Sequence, residues 1–197
     1  MSTVKDWLLA VEKSVNPFHF AGRVLVWIGL AVWGWTFVSR PMDAELLAGS
    51  FLHNVNLAFH EGGHVLFGLF GWRFLQVLGG SLGQMLMPLI CAAAFLIQNR
   101  DAFGASVGLW WAAENFMDIA PYIADARTLD LLLLGGVTGK DVEDYHDWEY
   151  LLRTTGWLQH DRVLAQASYN LGRALMVAAL LWGAYMLLLQ YRNLARS

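Results

Sequence analysis

Apolar residues along this chain fall into five long stretches separated by short polar breaks. They cover approximately residues 22–38, 51–70, 82–97, 103–123 and 171–189. A helix needs about 20 mostly apolar residues to cross a bilayer, so each stretch reads as a candidate span. Arg40-Pro41 closes the first stretch and Gly71-Trp72-Arg73 the second, where Trp72 and Arg73 suit the membrane interface. Gly79-Gly80-Ser81 is expected to break the chain before the third, and Gln190-Tyr191-Arg192 ends the last. The pattern predicts an all-α, polytopic membrane helix bundle of about five transmembrane helices, with interfacial or re-entrant pieces. It reads as a single domain over residues 1–197.

Two segments depart from that pattern. In residues 1–20, Val4, Trp7, Leu8, Val11 and Val15 recur at helical spacing, with Lys5, Asp6, Glu12 and Lys13 on the other positions. That predicts an amphipathic interfacial helix ending near Pro17. Asp6 and Glu12 interrupt what would otherwise be the core of a signal peptide. Residues 124–166 carry Asp125, Arg127, Asp130, Lys140, Asp141, Glu143, Asp144, Asp147 and Glu149 and form the main polar connection. Within it, residues 131–136 are apolar but too few to span, which predicts a re-entrant or interfacial piece.

Composition agrees with a membrane setting. The chain is 57% hydrophobic and 15% charged, against roughly 25% charge in a soluble domain. A net charge of −3 gives no basic footprint for nucleic acid. The single cysteine, Cys91, lies in an apolar run and excludes a disulfide framework or a thiolate cluster. Lys5, Lys13, Arg23, Arg73 and most of 124–166 would share one side, while Arg40, Arg100, Arg192 and Arg196 would share the other. That bias favours a cytoplasmic N-terminus in a multi-pass protein of the cell (inner) membrane.

The chemistry is concentrated in the second stretch, at His60-Glu61-Gly62-Gly63-His64. On a helix, His60 and His64 project from one face and can bind a single zinc ion. Glu61 follows the first ligand, where a carboxylate can take a proton from water held by the metal. Gly62 and Gly63 each cost about 1 kcal/mol relative to Ala in a helix. They therefore suggest the close approach of another backbone, from a packed helix or an extended substrate. The fourth stretch supplies a second polar group, Glu114, Asn115 and Asp118, one turn apart on one face and followed by Pro121. Carboxylates at that depth need a counter-charge, which a zinc ion on the second span provides. Gln84 in the third stretch is a possible hydrogen-bond partner for a substrate or a neighbouring helix. His146 and His160 lie in the polar connection, and His146 reaches the metal if that connection folds back over the site.

These motifs resemble those of membrane-embedded zinc metalloproteases of the site-2 protease family. His60, Glu61 and His64 match the family's first motif directly. Asn115, Asp118 and Pro121 resemble its second, Asn-x-x-Pro followed by Leu-Asp-Gly, although Leu129-Asp130-Leu131 departs at its last position. A second resemblance is to gluzincin-type membrane proteases, including the CAAX-type and heat-shock enzymes, in which Glu-x-x-x-Asp follows the first motif. Glu114 and Asp118 have that spacing, and so do Glu143 and Asp147. The resemblance implies a zinc-dependent endopeptidase that cleaves membrane-protein or peptide substrates in or beside the bilayer. Zinc would be held by His60, His64 and Asp118, with Glu114 as the alternative third ligand, and Glu61 would be the base. Asn115 and Gln84 would hold the substrate strand. The other classes compatible with the residues are a membrane zinc hydrolase acting on lipid or another amide, and a non-enzymatic metal-binding membrane protein.

Overall fold

The structure is a computed structural model that describes residues 4–195, and every regular element among them is helical. The helices are α1 (Val4–Leu8), α2 (Pro17–Val38), α3 (Ala44–Ala48), α4 (Phe51–Gly68), α5 (Arg73–Ile97), α6 (Ala102–Asp118), α7 (Ala120–Ala124), α8 (Asp147–Thr155) and α9 (Asp161–Arg192). A 3₁₀ turn, Leu158–His160, leads into α9. Residues 1–3 of the expected N-terminal helix, and Arg196 of the charge pattern, lie outside the described residues.

Among the described residues, three helices are long and apolar enough to cross a membrane, not five: α2, α5 and the run Leu158–Arg192. The other two expected spans fall short for different reasons. α4 has 18 residues, but His53, Asn54, Asn56, His60, Glu61 and His64 interrupt its apolar character. α6 has 17 residues because the chain turns at Ile119 and restarts as α7. Pro121 sits in the first turn of α7, where its missing N–H leaves no helical bond unmade. Gly79-Gly80-Ser81 is no break either, since α5 runs through it from Arg73. The amphipathic helix expected over 1–20 is reduced to α1. Asn16 caps α2, its Oδ1 accepting from the Phe18 N–H at 2.8 Å, and Val15 instead forms an isolated bridge with Leu194.

The chain divides into two compact units, each assembled from segments distant in sequence. The first comprises the residues up to Arg40, Pro88–Glu114, and those from Arg173 onward. Its core gathers Ala102, Phe103, Met186 and Leu187, with Trp27 and Trp182 packed around them. The indoles are satisfied by backbone carbonyls, Trp27 Nε1 donating to Leu180 O at 3.0 Å and Trp182 Nε1 to Leu8 O at 2.9 Å. Outward, Leu25, Val32 and Trp35 of α2 stay exposed. Only 11% of that helix's most apolar window is buried, the surface expected of a helix whose solvent is lipid.

The second unit comprises Pro41–Met87 and Asn115–Gly172. Ile119, Ile123, Ala126, Leu152 and Ala165 form its core. This unit holds every residue of the site described next. Its α4 and the first part of α5 touch backbone to backbone: a Cβ on Gly63 would collide with Gly79 O and press on Gly83 Cα. A neighbouring helix is thus the reason for Gly63, whereas a Cβ on Gly62 meets nothing within 4 Å.

Candidate metal centre

His60 is buried and His64 partly exposed, one turn apart on α4, with ring centroids 4.7 Å apart and nearly perpendicular. Each imidazole is oriented through Nδ1. His64 Nδ1 lies 2.9 Å from Gln76 O, a backbone carbonyl that only accepts, so this nitrogen carries the proton. His60 Nδ1 lies 2.8 Å from Gln84 Oε1. With a cation bound, both Nε2 atoms would present lone pairs towards one point. Gly80 lies against that point. A Cβ there would fall 2.5 Å from Nε2 of His60 and 2.5 Å from Nε2 of His64. Gly80→Ala is therefore expected to leave the helical content intact and to lower zinc affinity by roughly 10–100-fold, the scale of a disturbed ligand shell. Circular dichroism and a competitive zinc titration check it.

The third group comes from the polar connection. His146 caps α8, its Nδ1 accepting from the Glu149 N–H at 3.1 Å. Asp147 is the first residue of that helix, and its N–H donates to Tyr122 Oη at 2.9 Å. So fixed, Asp147 Oδ2 lies 2.8 Å from His60 Nε2 and 3.1 Å from His64 Nε2. Burial alone would push the Asp147 carboxyl up, but its bonds to His60 and His64 outweigh that and hold it below the usual carboxylate range. Burial pushes the Tyr122 phenol up, keeping its hydroxyl protonated. It likewise pushes the His146 imidazole below its ordinary value, against the pull of Asp125.

One ligand atom from each of His60, His64 and Asp147 lies within 4.8 Å of the others. Two lone pairs and a carboxylate oxygen crowded together repel one another unless a cation sits among them. Zinc bonds of about 2.0–2.1 Å place tetrahedral ligands approximately 3.3 Å apart, so this donor set fits after opening by a few tenths of an ångström. Two imidazoles and one carboxylate also form a composition known for catalytic zinc sites, in which a fourth position stays open.

Of the other residues singled out in the sequence, Asp118 and Gln84 also line the cavity at the site, and none belongs to the His60–His64–Asp147 cluster. Asp118, favoured as third ligand, is bonded to His53 Nδ1 at 2.9 Å and Asn56 Nδ2 at 3.0 Å. Glu114 is fully buried and is not among the residues lining the cavity at the site. Asn115 and Gln84, expected to hold substrate, are buried and bonded to each other, Gln84 Nε2 donating to Asn115 Oδ1 at 3.3 Å. His146 is committed to capping α8, and the residue after it reaches the histidines instead. The signal for Asp147 was present in the Glu143-x-x-x-Asp147 spacing and in its position directly after a histidine. Neither pattern distinguishes it from other acids of the connection.

The cavity has a volume of about 410 Å³, and His60, Glu61, Gln84, Asp118, Tyr122 and Asp147 are among its polar lining residues. Leu47, Leu57, Ile119 and Leu131–Leu134 supply an apolar wall. The leucine segment is held in place by Asp125, whose carboxylate accepts from the N–H groups of Asp130 at 2.9 Å and Leu131 at 3.0 Å. Neither a protein-family profile, nor a curated protein, nor a solved structure matches this chain.

Proposed function

We propose that this chain is a multi-pass membrane zinc hydrolase that cleaves peptide bonds in or beside the bilayer. The observation that carries the reading is the convergence of His60, His64 and Asp147, two of which, His60 and Asp147, line a cavity together with Glu61. The site-2 protease resemblance supports the peptide-bond assignment, with Asp147 now taking the place first given to Asp118. A zinc ion held by the three side chains would polarise the scissile carbonyl and make water a nucleophile near neutral pH. Glu61 accepts the proton of the attacking water and returns it to the leaving amine. Tyr122 accepts the Asp147 N–H through its oxygen, so its own proton is available to an oxyanion forming in the cavity. The leucine wall suits apolar substrate side chains. The three long apolar helices support placement in the membrane.

A second reading keeps the geometry and removes the chemistry. The same 2.8 Å and 3.1 Å contacts serve a proton-bridged His–Asp cluster in a non-enzymatic membrane protein. To separate the two, detergent-purified chain is assayed for zinc and incubated with an apolar membrane-span peptide and with phospholipid, and products are identified by mass spectrometry. Bound zinc with peptide fragments supports the proposal. Bound zinc with lipid products makes the chain a hydrolase of another class, and a zinc-free, inactive chain leaves the proton-bridged cluster.

A further inference from the structure

Behind His60 runs a line of buried side-chain amides that ends on a carboxylate. His60 Nδ1 meets Gln84 Oε1 at 2.8 Å, Gln84 Nε2 meets Asn115 Oδ1 at 3.3 Å, and Asn115 Nδ2 meets Asn56 Oδ1 at 3.1 Å. Asn56 Nδ2 then meets Asp118 Oδ2 at 3.0 Å. Gln84, Asn115, Asn56 and Asp118 are all buried. Three amides in sequence have no preferred direction of their own, because each offers a donor at one end and an acceptor at the other. The carboxylate supplies the direction. As a carboxylate, Asp118 only accepts, so Asn56 must turn its NH₂ towards it and its oxygen towards Asn115. The same requirement passes through Asn115 to Gln84, whose oxygen is then left facing His60. His53 closes the far end, with Nδ1 2.9 Å from Asp118 Oδ1.

We propose that Asp118 is a positioning residue that sets the tautomer of His60 through this relay of three amides. Asp118 holds the proton of His60 on Nδ1 and keeps the Nε2 lone pair directed at the metal point, without touching the metal. The proposal rests on the metal reading and assigns Asp118 a role distinct from ligation. In a low-dielectric interior, a network fully satisfied in one direction resists reversal, since a flipped amide leaves two buried groups mispaired. His64 needs no such device, because its Nδ1 faces a backbone carbonyl.

The decisive variants move the carboxylate by one link. In Asp118→Asn the end of the line can donate as well as accept, so its direction is no longer imposed. Zinc affinity is expected to fall by roughly 10–100-fold, as for a lost outer partner of a ligating histidine. In the double variant Asn56→Asp with Asp118→Asn, the carboxylate at 56 again accepts from Asn115. Zinc affinity is then expected to return to within about threefold of the unaltered chain, because the outer partner of His60 is restored. A direct ligand at 118 would not be rescued this way, so a double variant that folds but stays zinc-poor overturns the relay. So does a single variant with undiminished affinity. Should the single variant fail to fold, the double variant decides alone. Nitrogen-15 NMR of the zinc-free Asp147→Ala chain, in which no carboxylate at 147 competes for His60 Nε2, gives an independent reading. It is expected to find the proton on Nδ1, and a proton on Nε2 would overturn the relay even if zinc binds. A chain that never binds zinc, yet keeps the Nδ1 tautomer, removes the metal reading and leaves the relay standing.

Discussion

Asp147→Ala is expected to strip zinc from the purified chain. The loss should exceed the roughly 10–100-fold typical of an outer partner, because a charged donor leaves the shell itself. Asp147 Oδ2 is the group that brings negative charge to the two imidazoles, at 2.8 Å and 3.1 Å. Without it, His60 and His64 remain as the only two ligands of the cluster and the cation loses its counter-charge. The variant should fold, since the backbone N–H that anchors α8 on Tyr122 is unchanged. Glu143 is the comparison residue: it shares the Glu-x-x-x-Asp spacing with Asp147 but is exposed and does not line the cavity. Glu143→Gln should therefore retain zinc. Inductively coupled plasma mass spectrometry on both variants tests the assignment. An Asp147→Ala chain with full zinc would return the third position to Asp118 or Glu114.

Glu61→Gln has the second largest expected effect, on turnover and not on metal. Glu61 lies on α4 beside His60 and lines the cavity, but it does not belong to the cluster of His60, His64 and Asp147. Its carboxylate is assigned to proton transfer, and the amide that replaces it has the same shape with no basic site. Cleavage of the membrane-span peptide should fall by at least about 100-fold, the lower end of what a positioned general base contributes. Zinc content should stay that of the unaltered chain. Equal loss of zinc and activity would make Glu61 a ligand, and undiminished cleavage would remove it from the mechanism.

How much of this was legible in the sequence depends on distance along the chain. His60, Glu61 and His64 belong to one helix, and an i,i+4 relation is enough to place two imidazoles on one face. Asp147 lies 87 residues from His60, and it reaches the site because His146 caps α8 and Tyr122 receives the next N–H. No periodicity encodes that. Asn115, Asp118 and Gln84 stood out as polar residues in apolar helices, and they do converge with His60. Their role depends on the direction of hydrogen bonds in three dimensions, which spacing cannot supply. Gly79 and Gly80 looked like a break because a helix interior usually excludes paired glycines. Contacts with Gly63 and with the two histidines explain them inside a continuous α5. Two apolar stretches do not form spans, because polar residues interrupt α4 and the chain turns at Ile119 after α6.

Zinc K-edge X-ray absorption on the metal-loaded chain tests the central claim most directly. The account predicts about one zinc per chain, with two imidazoles and oxygen ligands in a shell at about 2.0–2.1 Å. The imidazole scattering should be lost when His60 and His64 are both replaced by Ala. A chain that binds no zinc, or whose zinc shell contains no imidazole, would contradict it.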